Sequence, residues 1–127
     1  METSASKKEI ITFAQKYIDF FEKEFGSDES KYKFFGEVEF AEECEALGFE
    51  MDCGTSFDQA AKELWNENES AETNIAKFND IKILGNKLYS EWRYYNHWDS
   101  PSHANEGTKK WLLILLRRLV SLCSQNE

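Results

Sequence analysis

The stretch Glu106-Gly107-Thr108-Lys109-Lys110-Trp111-Leu112-Leu113-Ile114-Leu115-Leu116-Arg117-Arg118-Leu119-Val120-Ser121-Leu122-Cys123 reads as one helix, and its middle decides the fold. From Trp111 to Leu116 the chain is apolar on every side of a 3.6-residue turn. A helix of that kind sits at the centre of other helices, because only full coverage removes all of its faces from water. The same run is six residues long before Arg117 and Arg118 interrupt it, far short of the roughly 20 that a membrane span needs. The expectation is an all-α fold, an irregular bundle of about five helices in a single domain, with no membrane partner.

Working back from that helix, Asp99-Ser100-Pro101-Ser102 is a break, since proline disfavours helix in the residue before it. Ahead of the break, Ile81, Leu84, Leu88, Trp92 and Tyr95 recur on one face of a helix predicted from Ile81 to His97. The stretch from Ala71 to Asp80 fits either helix or loop, and Asn66 to Ser70 is polar. Ser56-Phe57-Asp58-Gln59 matches a capping box, in which Ser and Gln satisfy each other's free amides, and Phe57, Ala60, Ala61, Leu64 and Trp65 follow as an inner face. A weaker stripe predicts a helix from Glu37 to Leu47, ended by Gly48. Phe49-Glu50-Met51-Asp52-Cys53-Gly54 alternates apolar and polar; with no second strand to pair with, it is read as an ordered loop. Ser27 to Lys33 is read as a polar connection. At the start, Ser4 or Ser6 caps a helix whose face is Ile10, Ala14, Tyr17, Ile18, Phe21 and Phe25, stopped by Gly26.

Composition supports a globular body. Of 127 residues, 41% are hydrophobic and 15% aromatic, and disordered segments are poor in aromatics. The formal charge of −9 repels phosphate backbones, which argues against nucleic acid, and it favours encounter with basic partners. Lys109, Lys110, Arg117 and Arg118 read as surface charge flanking a buried stripe. Three cysteines, Cys44, Cys53 and Cys123, are an odd number without C-x-x-C spacing; this points to a reducing compartment and no disulfide framework. No basic-then-apolar leader precedes the first helix, so the expected location is the cytoplasm.

Two segments can carry chemistry. In Trp92-Arg93-Tyr94-Tyr95-Asn96-His97-Trp98-Asp99, Arg93 and His97 are four apart and share a helical face, and Tyr94 and Trp98 share another. Arg with His one turn away suits an anion or a carboxylate, and the rings suit a planar group. The bland alternative makes Trp92 and Tyr95 core residues and pairs Arg93 with an internal carboxylate. Glu50 and Asp52 are that candidate partner, since a buried Arg is costly without one. The expectation is that Glu50 or Asp52 contacts Arg93. No phosphate loop, dinucleotide fingerprint, zinc-protease or nucleophile-elbow motif is present, and neither Cys53 nor the two histidines, His97 and His103, has catalytic or metal-ligand spacing. The sequence therefore points to no cofactor and no metal, and it lowers the expectation of an enzyme without removing it.

The order G-F-E-M-D-C-G (Gly48 to Gly54), then I-L-G-x-x-L-Y-S-x-W-R-Y-x-N-H-W (Ile83 to Trp98), then an apolar C-terminal helix containing Trp resembles a family of small bacterial proteins without an assigned activity. The resemblance runs from Phe40 to Leu122 and leaves the N-terminal helix outside. It implies a bacterial, cytoplasmic protein, and it transfers no functional residue.

Three functions are then in play. The first is a protein-binding module such as an immunity or antitoxin-like inhibitor of a basic protein, touching it through Glu50, Asp52, Tyr94, Trp98 and Asp99. The second is a small-ligand binder or enzyme built on Arg93 and His97 with the Glu50–Asp52 loop. The third is a structural or regulatory homodimer with aromatics at its interface.

Overall fold

The computed structural model describes residues 6–51 and 55–124, and within them the fold is all-α. The long C-terminal helix, here α7 (Glu106–Cys123), is the most deeply covered. Leu112, Leu115, Leu116 and Leu119 are almost fully buried, and Leu113, Ile114 and Leu122 nearly so. Asn105 starts it: its side chain accepts from the Thr108 N–H, and the Thr108 hydroxyl accepts from the Asn105 N–H. Its chief packing partner is α1 (Lys7–Lys23), with α6 (Ile81–Arg93) and α5 (Ala71–Ile75) on other sides.

The first helix begins at Ser6, which forms a reciprocal cap with Glu9, and buries Ile10, Phe13, Ala14, Tyr17, Ile18 and Phe21. Ser27 to Lys33, expected as a connection, is mostly helix: α2 runs Asp28–Phe35, capped by the Ser27 hydroxyl accepting from the Ser30 N–H. Only Phe34 and Phe35 are strongly apolar there, so hydrophobic periodicity is silent. The cap residue followed by Asp28 and Glu29, which suit the positive end of a helix, was the usable signal. Phe34 and Phe35 then join Phe13, Tyr17, Phe21 and Phe40 in a largely edge-to-face aromatic cluster, with Tyr17 and Phe40 4.9 Å apart at 85° and Phe34 and Phe35 4.7 Å apart at 88°. That geometry places the positive ring edge on the negative ring face.

α3 (Glu39–Ala46) ends as the sequence asks. Gly48 adopts φ +88°, its N–H donates to the Glu45 carbonyl, and the Phe49 N–H reaches back to the Cys44 carbonyl at 2.9 Å. This double closure needs a residue without a Cβ penalty at positive φ. It also throws Phe49 inward against α6, where Gly85 leaves room: a Cβ on Gly85 would lie 2.3 Å from the Phe49 ring. The Gly-Phe of one singled-out segment and the Leu-Gly of the other thus form a single packing unit.

α4 (Thr55–Leu64) starts one residue earlier than the proposed Ser56 cap, so Ser56 lies inside its first turn and the true cap falls outside the described residues. Phe57 from α4 stacks on Phe78 at 4.7 Å. The doubtful stretch after Ser70 is helical only as far as Ile75. Asp80 caps α6, accepting from the Ile83 N–H. The helix expected to reach His97 changes character at Tyr94: residues Tyr94–Trp98 form a π-helical turn, followed by a 3-10 turn, Pro101–His103. The described part of the Phe49–Gly54 segment is loop, and Asp52 and Cys53 lie outside the described residues. Among the described residues, no helix is long and apolar enough to cross a membrane.

Candidate functional site

The π-helical turn divides the Trp92–Asp99 segment into an inward and an outward half. Inward, Trp92 is 2% exposed and its indole N–H donates to the Phe34 carbonyl at 2.8 Å. Asn96 donates from Nδ2 to the Phe35 carbonyl, also at 2.8 Å. These are terminal carbonyls of α2, which have no partner within their own helix. Tyr95 packs on Phe35 and shares a 3.0 Å hydrogen bond with the Thr108 hydroxyl. Three side chains from one segment thereby hold the end of α2 and the start of α7.

Outward, the largest side chain of the turn faces water. Trp98 is 73% exposed, Tyr94 48%, and Met51, from the loop after α3, 39%. The wider turn explains this. An i→i+5 bond, from the Asp99 N–H to the Tyr94 carbonyl at 2.8 Å, rotates the residues after Tyr94 away from the face that α6 buries. Met51, Lys87, Ser90, Glu91, Arg93, Tyr94, Tyr95 and Trp98 line a groove of about 370 Å³ beside α6. That is within the size range of pockets that hold small ligands or side chains of a partner.

The electrostatics of this groove are simple. Lys87 and Glu91 pair one turn apart at 2.9 Å, and both are largely covered. Arg93 has no ion-pair or hydrogen-bond partner among the described residues, so it is the uncompensated cation of the groove. The hydroxyl of Ser90, between Lys87 and Arg93 on α6, is buried and also without a partner among the described residues. Leaving such a group unsatisfied costs about 1–3 kcal/mol. At the rim, Asp99 pairs with His103 at 2.5 Å, and that hydrogen bond holds its carboxyl below the usual range. The Asp99 charge in turn raises the Tyr94 hydroxyl above its ordinary value.

The sequence-predicted residues are thus only partly gathered. Arg93, Tyr94 and Trp98 share the groove, and His97 does not line it: its ring packs edge-on against Trp98 at 4.8 Å and is otherwise exposed. The expected pairing of Arg93 with His97 on one face assumed an α-helix through Trp98, and the π turn removes that premise; Tyr94 and Trp98 do line the groove together. The expected Glu50–Arg93 contact is replaced by another. The Glu50 N–H donates to Asn86 Oδ1 at 2.6 Å, and its carboxylate meets Lys82 at 3.2 Å. Lys82 precedes Arg93 by three turns of α6, about 16 Å along the axis. Asp52 lies outside the described residues. Met51, Lys87 and Ser90 were not singled out from sequence; Lys87, Ser90, Tyr94 and Trp98 follow three- and four-residue steps, which was the available signal.

A larger groove of about 440 Å³ lies over α1 and α2, and most of its charges are paired. Lys16 bridges Glu39 at 2.8 Å and Glu43 at 2.9 Å, Lys33 meets Glu24, and its aromatic walls Tyr17, Phe34 and Phe40 are core residues. Lys23 there is exposed without an ion-pair partner among the described residues, but no large apolar side chain lining this groove is exposed as Trp98 is. Among the described residues no three His, Cys, Asp or Glu side chains converge as metal ligands. Cys44 and Cys123 are buried free thiols whose ionisation burial opposes, so neither is poised as a nucleophile. Comparison of the chain with protein-family models, with curated proteins and with solved structures gives no match in any of the three.

Proposed function

We propose that this protein is a non-catalytic protein-binding module, of the kind that neutralises a basic protein as immunity and antitoxin inhibitors do, and that it docks through the Met51–Tyr94–Trp98 groove. The observation that carries the proposal is the 73% exposure of Trp98 beside Tyr94, Met51 and Arg93. Trp, Tyr, Met and Arg are the residue types enriched where protein interfaces concentrate their energy. Leaving a Trp in water forgoes a large burial term, which a partner would recover. The turn beneath it is rigidly held by Trp92, Tyr95 and Asn96, so a partner would meet a preorganised surface. The formal charge of −9 supports a basic partner, steered by long-range attraction. A cytoplasmic, bacterial setting belongs to the same proposal and is supported by the free thiols Cys44 and Cys123.

The test uses two baits, the wild-type chain and Trp98→Ser, against lysate of the host at low and moderate salt. The expected result is one stoichiometric basic protein retained by the wild type, weakened by salt and lost with Trp98→Ser. With the partner purified, the substitution should cost about 2 kcal/mol or more of binding. Equal retention by both baits, or by neither, sinks the proposal. Self-association that vanishes with Trp98→Ser would replace it with the homodimer.

A further inference from the structure

The charge of the whole surface and the charge of the groove have opposite signs, and they do different work. Whole-surface charge governs who arrives; local charge governs which group docks and in what register. The chain as a whole is strongly acidic, but within the groove Lys87 and Glu91 cancel and Arg93 is left over. Resting on the protein-binding reading above, we propose that the group of the partner entering this groove is a carboxylate beside an apolar side chain, presented by an Asp, a Glu or a chain terminus. Arg93 offers a planar fork of donors that matches a carboxylate, which a lysine would not match. Met51, Tyr94 and Trp98 supply apolar walls for the neighbouring side chain, and they limit access of water to the ion pair. Ser90 adds a second, independent pointer. Its hydroxyl sits among the groove residues, buried and without a partner, and rotation about its χ1 offers a donor to an oxygen arriving at Arg93. A cationic group is disfavoured here. Among the described residues, the carboxylates of Glu91, Asp99 and Glu50 are engaged, by Lys87, His103 and Lys82.

The probes are two isosteric dipeptides, acetyl-Leu-Glu-amide and acetyl-Leu-Gln-amide, titrated into the full-length protein and followed by the indole N–H and Arg Nε–H resonances in proton–nitrogen NMR. Trp98→Phe identifies the indole signal. The expected result is millimolar binding of the Glu peptide that shifts both Trp98 and Arg93, with an affinity about tenfold above that of the Gln peptide. The preference should shrink as salt rises, disappear in Arg93→Gln and survive in part in Arg93→Lys. Arg93 is only partly covered, so these variants are expected to fold, and their helical circular dichroism verifies it. Equal affinity for the two peptides, a preference retained in Arg93→Gln, or no shift at Trp98 with either peptide would each overturn the carboxylate assignment. If that happens while Trp98→Ser still abolishes retention of a cellular partner, the groove is an interface whose anchor is apolar, and the protein-binding reading stands without this one.

Discussion

Two polar breaks interrupt the second half of the chain, and they end differently. Between α4 and α5, residues Asn66 to Ser70 fold over the side chain of Asn74, which is fully buried. Its Nδ2 donates to the carbonyls of Asn66, Glu69 and Ser70, and its Oδ1 accepts from the Asn66 N–H at 2.7 Å and from the Lys77 ammonium. Lys77 itself reaches the Leu64 carbonyl and the Glu69 carboxylate. Each polar group that Asn74 and Lys77 bring there has found a partner inside the chain. Between α6 and α7, the inward half of the turn is equally well satisfied, but the outward half leaves Trp98 in water and, among the described residues, Arg93 and the Ser90 hydroxyl without a partner. A break that closes on itself is architecture. One that is rigid beneath and unfinished above is a surface prepared for something else.

The sharpest way to break this comparison is to mutate two tryptophans six residues apart. Trp92→Ala should cost about 3–5 kcal/mol, because it empties a core site and orphans the Phe34 carbonyl. Trp98→Ala should change stability by no more than about 0.5 kcal/mol. Urea denaturation of both variants measures the difference. Comparable losses would mean that the turn is not divided into a structural and a free half.

Asn74→Ala tests the other side. Removing the amide leaves the Asn66 N–H and three carbonyls to find new partners, and the expected cost is about 2–3 kcal/mol. Proteolysis near Asn66–Ser70 should rise in parallel. A loss under about 0.5 kcal/mol would show that water replaces the amide easily and that the closed loop is not the tighter of the two.

Gly85→Ala sharpens the comparison from beneath the groove. The new methyl would collide with the Phe49 ring, and an overpacked core costs about 1–3 kcal/mol, less about 1 kcal/mol of gained helix propensity. Because Met51 follows Phe49 by two residues, the same substitution should perturb the wall opposite Trp98, seen as a shift of its indole resonance. Stability lost with that resonance unmoved would separate core from groove.

These residues also mark how far the sequence could be read. The central helix, its apolar girth and the inward role of Trp92 and Tyr95 were legible, because periodicity reports burial directly. The α2 helix was not, since eight mostly polar residues bury little beyond Phe34 and Phe35 and stability comes from neighbours that a local pattern does not contain. The groove was half legible. Arg93, Tyr94 and Trp98 stood out by type, but their placement depends on one inserted residue in a helical turn, which shifts every later side chain by about 100° and leaves no mark in composition. That Glu50 meets Lys82 rather than Arg93 is hidden from the sequence for a related reason. Its direction is set by the Gly48 closure and the Gly85 notch, both contacts between distant segments.

The smallest effect probes the rim. Tyr94 is exposed, and the largest cause of its raised ionisation is the negative charge of Asp99, which disfavours a second negative charge beside it. Asp99→Asn removes that charge while keeping the shape, so the Tyr94 hydroxyl should ionise at lower pH, closer to an ordinary tyrosine. The sign is fixed. Deleting a neighbouring anion stabilises the phenolate, and the titration followed through carbon resonances of labelled tyrosine must move down. Tyr89 acts as an internal reference: it is pushed up to about 12 by burial and then by its hydrogen bond to Glu45, neither of which the substitution touches. An unmoved Tyr94 would mean that the Asp99 carboxylate turns away from the groove in solution. The groove would then be bounded by apolar rings at that end, and Arg93 would be the unpaired charge, among the described residues, that a docking group meets.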